Sequence, residues 1–129
     1  MPNLGFAHFN LRAPRPVLEE LRAFYCDVVG LRQGERPPFR SFGYWLYAGE
    51  LDVLHLSEAG PEEDRSQRGG TPFDHVAFRC SGQADFEHRL VQRGIRYELG
   101  QVPQTAQQQL FFSDPAGNGV ELNFAPGDV

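Results

Sequence analysis

Three histidines and one glutamate stand at matched places in the two halves of this chain, and imidazole nitrogen and carboxylate oxygen are the donors that hold divalent cations. Phe6-Ala7-His8-Phe9-Asn10-Leu11-Arg12 is echoed by Phe73-Asp74-His75-Val76-Ala77-Phe78-Arg79, with Phe, His and Arg at identical offsets and a large apolar residue sixth in both. A second pair keeps the same register: Val53-Leu54-His55-Leu56-Ser57 closes the first half and Val120-Glu121-Leu122-Asn123-Phe124 the second. His55 and Glu121 are separated by the same length of chain, to within one residue, as His8 and His75. The repeat therefore brackets four potential metal ligands: His8, His55, His75 and Glu121.

The alternation places them. In a strand successive side chains point to opposite faces, so Phe9, Leu11, Leu54, Leu56, Val76, Phe78, Leu122 and Phe124 are expected on one face, toward a core. His8, Asn10, Arg12, His55, Ser57, His75, Ala77, Arg79, Glu121 and Asn123 then share the other. A strand face turned to water usually carries Thr, Lys, Glu or Gln. Three histidines and a glutamate at equivalent positions are a concentration of donors that solvent exposure does not explain.

The elements between these strands repeat as well. Pro16 suits the first turn of a helix, where its missing N–H costs nothing. Val17, Leu21, Phe24, Tyr25 and Val28 follow at helical spacing, and Gly30 stops the run. Gly34 and Pro37-Pro38 leave room for only a short edge strand between 31 and 39. Ser41 to Ala48 and Leu51 to Ser57 read as strands joined at Gly49-Glu50. Residues 58 to 72 hold Gly, Pro, Ser and charged side chains without apolar periodicity, a linker or a lid. The second half predicts a strand over Phe73–Arg79 and a helix capped by Ser81, with Phe86, Leu90 and Val91 inward and Gly94 as stop. Strands over Ile95–Leu99, Gln108–Ser113 and Gly119–Phe124 follow, the last two joined by a tight Asp114–Gly119 turn. The fold class is α+β: two strand–helix–three-strand (βαβββ) modules whose two mixed sheets close a cup, with helices outside.

Composition narrows the function. At 129 residues the chain suits one domain, or two small modules sharing a core. Its net charge of −5, with basic residues scattered rather than striped, argues against a nucleic-acid partner. All 12 basic residues are Arg, so Schiff-base chemistry and a phosphate-loop lysine are excluded. No window approaches the length of a membrane span, and no leader pattern is visible. Cys26 and Cys80 are too few for a disulfide scaffold, and reduced thiols in a cytoplasmic protein are expected. No serine sits in a Gly-x-Ser-x-Gly elbow.

With its paired His-bearing strands, its Phe24-Tyr25-x-x-Val28-x-Gly30-Leu31 helix exit and its closing Asp114-Pro115-x-Gly117-Asn118-x-x-Glu121-Leu122, the chain resembles the vicinal oxygen chelate superfamily. That superfamily includes glyoxalase I, methylmalonyl-CoA epimerase, fosfomycin-resistance enzymes, extradiol dioxygenases and bleomycin-binding proteins. The resemblance spans one domain over 4–125, with module one at 4–58, a linker at 59–72 and module two at 73–125. It implies a divalent ion (Fe, Mn, Ni, Zn or Co) held by His8, His55, His75 and Glu121, with Glu121 and His55 as catalytic groups. It also implies a small-molecule substrate and a homodimer in which His8 and His55 of one subunit meet His75 and Glu121 of the other. His55 departs from the Glu or Gln common at its position in glyoxalases and epimerases. Three imidazoles and one carboxylate leave a divalent site with net positive charge, suited to an anionic or polarised oxygen substrate.

Three readings follow. A glyoxalase-like lyase or isomerase would use all four ligands and two open coordination places. An extradiol-type Fe(II) dioxygenase needs three open places, with His8, His75 and Glu121 as facial triad and His55 as acid or base. A metal-free drug- or metabolite-sequestering protein has no need of the full ligand set. Asn10, Arg12, Ser57, Arg79 and Asn123 are candidate pocket residues, with Arg12 and Arg79 as anion anchors or as partners of nearby acids. Tyr44, Trp45 and Tyr47 read as core aromatics, with the lining of a pocket as the alternative, Glu62-Glu63-Asp64 as a solvated charge run, and His88 as solvated helix surface.

Overall fold

A computed structural model describes residues 2–65 and 71–129. Residues 66–70, the middle of the expected linker, lie outside the described residues. The chain divides into two compact units, residues 1–67 and 68–129.

The first unit runs β1 (Phe9–Ala13), α1 (Arg15–Phe24), a π-helical turn (Tyr25–Val29), β2 (Arg32–Gly34), β3 (Gly43–Ala48) and β4 (Leu51–Glu58). Its sheet has the order β1-β4-β3-β2, with β1 parallel to β4 and the other pairs antiparallel. The second unit runs β5 (His75–Arg79), α2 (Gln83–Gln92), β6 (Glu98–Gln101), β7 (Gln108–Ser113) and β8 (Gly119–Phe124), ending in a 3-10 turn at Pro126–Asp128. Its order, β5-β8-β7-β6 with β5 parallel to β8, repeats the first. The expected pair of βαβββ modules, each with a mixed sheet and a helix, is the observed architecture.

Apolar spacing explains the packing. Leu18, Leu21 and Phe24 recur on one side of α1 and are buried, with Leu46, Leu54 and Leu56 fully buried in the sheet against which α1 packs. Gly30 ends this helical stretch in the left-handed conformation (φ 95°), which a side chain would strain. In the second unit Leu90, Leu110, Val120, Leu122 and Phe124 form the core, and Phe86 of α2 meets the Phe124 ring edge-on at 5.8 Å. No helix among the described residues is long and apolar enough to cross a membrane.

Four details differ from the sequence reading. β1 begins at Phe9 and β5 at His75, where pairing with Leu54 and Gly119 begins, so Phe6 and Phe73 precede their strands and are 75% and 51% exposed. Ser81 does not cap α2; Gly82 occupies the cap, without a side-chain hydrogen bond, and its N–H donates to Asp128 O. Val91 is exposed, because the inward line runs Gln83, Phe86, Leu90 and Val91 lies about 100° farther round. β6 begins at Glu98 because the Ile95 N–H is used to close the helix end on Leu90 O.

Candidate functional site

On β4, Leu54 and Leu56 are fully buried, which turns His55 to the other face of the sheet. Trp45, its cross-strand partner on β3, lies flat on one side of the imidazole, with ring centroids 4.0 Å apart and an interplanar angle of 8°. His8, just before β1, stacks on the opposite side at 3.7 Å and 17°. Trp45 thus belongs to the site face rather than to the core. His55 Nε2 stands 2.7 Å from Asp52 Oδ2. Facing a carboxylate, that nitrogen carries the hydrogen and donates it. The hydrogen bond from His55 is the main reason the Asp52 carboxyl is held below its ordinary range.

Asp52 was not foreseen, and the reason is a bulge. Leu46 pairs with Leu54 and Ala48 with Leu51, so two residues of β3 span three of β4. The additional residue in β4 inverts the alternation locally. Asp52 and His55, three apart, would face opposite ways on a regular strand, yet here they meet. His8, Asp52 and His55 each offer a donor atom, and these atoms lie within 4.8 Å of one another, the single group of three or more such residues found among the described residues.

The second unit carries the other two expected ligands. His75 Nδ1 is 2.7 Å from Asp74 Oδ2, and its Nε2 is 3.2 Å from Glu121 Oε1. The Asp74 hydrogen bond raises the His75 pKa, opposed by desolvation and assisted by the charges of Glu121 and Asp74. Glu121 has a side chain only 8% exposed. A carboxylate so buried needs compensation, and its Oε2 accepts hydrogen bonds from Asn123 Nδ2 at 2.8 Å and Gln109 Nε2 at 3.2 Å. Gln107 in turn donates to Asn123 Oδ1.

Local chain geometry sets this pair. Asp114 accepts from the N–H groups of Ala116 and Asn118, both at 2.9 Å, which pins the turn into β8. Gly119 lies opposite His75 in the register, where an added Cβ would stand 2.4 Å from Asp74 O and 3.0 Å from His75 Cβ. Only glycine lets the strands close there.

The donors fit a divalent ion. Two neighbouring ligands of an octahedral ion, each about 2.1 Å from it, stand roughly 3 Å apart; His75 Nε2 and Glu121 Oε1 are 3.2 Å apart. Asp74 on the far nitrogen of His75 is the carboxylate–histidine arrangement that orients metal-binding imidazoles. His8 and His55 are arranged differently. Their lone pairs lie in ring planes that are nearly parallel, so as they stand the two do not converge on one ion. His55 is clamped on both faces, whereas His8 is exposed and precedes the paired part of β1.

The remaining candidates are placed as follows. Arg12 is engaged by Glu63 in a forked ion pair whose Nε–Oε2 arm measures 2.8 Å, so Glu63 is no simple solvated charge. That pair pulls the Glu63 carboxyl down to about 2, with help from the Gly60 N–H. Ser57 Oγ donates to Asn10 Oδ1 at 3.0 Å. Arg79 is exposed at the end of β5, and His88 is exposed on α2. Tyr44 donates to Glu19, and Tyr47 to Glu35 O at 2.6 Å. Cys26 and Cys80 are free, half-buried thiols, and burial pushes the Cys80 thiol up to about 11, away from nucleophilic use.

Two sheets of identical strand order, each with two metal-type donors at matched positions, define a vicinal oxygen chelate fold. The chain belongs to the Glyoxalase/Bleomycin resistance protein/Dioxygenase superfamily, whose family model matches residues 5–122. It is 27% identical over 124 residues to the catechol-2,3-dioxygenase of Bacillus subtilis (strain 168), covering 93% of this chain and 40% of that protein. The chain thus spans about two-fifths of the length of that relative. Among solved structures, a glyoxalase family protein from Bacillus anthracis is 25% identical with a TM-score of 0.72, over 97% of this chain and 99% of that one. A genomically encoded fosfomycin resistance protein from Listeria monocytogenes is similar in fold, with a TM-score of 0.68 at 16% identity, over 97% of this chain and 95% of that one.

Proposed function

We propose that this chain is a metal-dependent enzyme that takes a small substrate through two of its oxygens, with His8, His75 and Glu121 holding the ion and His55 moving a proton. The observation that carries the reading is the His75–Glu121 pair: two donors at the spacing of neighbouring ligands, each fixed from behind by Asp74 or by Asn123 and Gln109. A divalent ion held there would polarise the substrate's oxygens and stabilise negative charge developing on them. Glu121 supplies the one carboxylate, and its occupied Oε2 leaves Oε1 for ligation. His55, clamped between Trp45 and His8, serves as general base and then as general acid.

An ion held by only three protein donors, His8, His75 and Glu121, would have room for both oxygens of a diol and for O₂, which suits an extradiol-type dioxygenase acting on a catechol-like diol. The likeness to a catechol-2,3-dioxygenase along 93% of this chain supports the same reading. Each unit carries only two of the four family ligand positions. This supports a single domain over 4–125 whose site is completed in a homodimer, His8 and His55 from one subunit meeting His75 and Glu121 of the other.

A glyoxalase-like lyase or isomerase is the second reading. It is favoured by the closeness of the His8, Asp52 and His55 donor atoms, and it requires the stacked imidazoles to turn before His55 can serve as a fourth ligand. The test is oxygen uptake by Fe(II)-loaded protein with a panel of catechols, alongside anaerobic solvent-deuterium exchange into α-hydroxycarbonyl compounds. Catechol-dependent uptake supports the dioxygenase. Exchange without uptake replaces it with the lyase or isomerase, and purified protein that binds no metal overturns both.

A further inference from the structure

We infer that Asp52 is a positioning residue: it holds His55 in the tautomer with hydrogen on Nε2, leaving Nδ1 as the nitrogen that takes the substrate's proton. The inference rests on the reading of His55 as acid–base group, and it assigns the reacting atom within that group.

The bulge in β4 exists at the place where Asp52 must turn to reach His55, and the contact it permits is short, 2.7 Å between Nε2 and Oδ2. A neutral imidazole has one donor and one acceptor nitrogen. With Nε2 donating to Asp52, the acceptor is Nδ1. Trp45 and His8 cover the two ring faces, so neither can carry a reacting group, and the ring plane is set by their stacking. With Nε2 given to Asp52 and both faces covered, Nδ1 is the one ring nitrogen left to take a proton. The His55 side chain is 11% exposed and that of Asp52 38%, so the imidazole is held largely out of solvent while its carboxylate partner is the more accessible of the two.

His75 is the opposite case. Its carboxylate partner Asp74 takes Nδ1 and leaves Nε2 toward Glu121. The two histidines thus present different nitrogens, each decided by which one a neighbouring aspartate has claimed.

In the proton step, a substrate O–H bond breaks with its electron pair staying on the oxygen while a bond from Nδ1 to that hydrogen forms. His55 becomes an imidazolium, stabilised by the Asp52 carboxylate and the face of Trp45. Returning the proton to the product restores the starting tautomer.

The test is a long-range proton–nitrogen NMR spectrum of the full chain labelled at histidine nitrogens, at a pH where His55 is neutral. Loss of its signals in His55→Gln assigns them. Wild type should show His55 with hydrogen on Nε2. Asp52→Asn is isosteric but offers an N–H to Nε2, so it should move the hydrogen to Nδ1 while metal stoichiometry and melting temperature stay unchanged. With a catechol substrate its turnover should fall roughly a hundred- to ten-thousand-fold with little change in KM, as for a lost acid–base group. Hydrogen on Nδ1 in wild type, or the same tautomer in Asp52→Asn, overturns the inference. So does loss of metal from Asp52→Asn, which would make Asp52 a ligand. The tautomer is read without turnover, so failure of the dioxygenase reading leaves this test standing.

Discussion

If His75 and Glu121 form one edge of a metal site, changing either should weaken binding far more than changing Asp74, and the structure sets the order. A structural zinc site with four protein donors is worth about 10–16 kcal/mol, or roughly 3 kcal/mol per donor. His75→Ala removes a donor outright, so the dissociation constant should rise about a hundred- to a thousand-fold. Glu121→Gln keeps an oxygen and the volume of a side chain only 8% exposed, but removes the charge; about a hundredfold is expected. Asp74→Asn leaves both donors and removes only the support behind His75. Losing such a support costs about ten- to a hundred-fold in affinity, and with Asp74 92% exposed the lower end applies. Protons compete for the same nitrogen. Because Asp74 raises the His75 pKa, wild-type affinity should decline from a higher pH than that of Asp74→Asn as the solution is acidified. The assay is calorimetric titration of chelator-stripped protein with Mn²⁺, Co²⁺ and Zn²⁺, with circular dichroism confirming that each variant is folded. Wild-type affinity in all three variants, or Asp74→Asn as the weakest, would refute the assignment.

Leu122→Ala, at a fully buried position in the centre of the second sheet, should destabilise the protein by about 2–5 kcal/mol in urea denaturation, the cost of a large-to-small core change. Gly119→Ala should force β5 from β8 at His75 and weaken metal binding even where circular dichroism shows the fold retained; unchanged affinity would show that the strands can yield there. Glu63→Gln should remove a stabilisation that depends on pH in one direction. The folded carboxyl lies near 2, below its ordinary value, so the melting-temperature difference from wild type should be constant above about 5 and vanish as pH falls toward 2. A difference that grows on acidification would contradict the Arg12–Glu63 pairing.

The alternation of Leu54, His55 and Leu56, and of Val120, Glu121 and Leu122, sufficed to place two of the candidate ligands on strands. A period of two is local and survives folding wherever pairing is regular. The same holds for the order of elements, since Pro16, Gly30, Gly94 and the Asp114–Gly119 turn act through their own backbone preferences. Reading failed where a distant partner decided the outcome. The repeat sets Phe6 and Phe73 at the head of their strands, but pairing starts only at Phe9 in β1 and at His75 in β5. Trp45 read as core because its neighbours are apolar; only the pairing of β3 with β4 set it on the imidazole of His55.

By itself, then, the sequence determined the two βαβββ modules, the strand faces and the residue types available for chemistry, because these follow from short-range periodicity and from a visible repeat. Tertiary structure alone decided how those residues are wired. A bulge in β4 brings Asp52 round to His55, and Gly119 lets β8 close on His75. Asp74 and Asp52 claim opposite ring nitrogens. The physical reason is that hydrogen bonds and ring stacking depend on the register between strands far apart in the chain, and one residue of slippage sends a side chain to the other face.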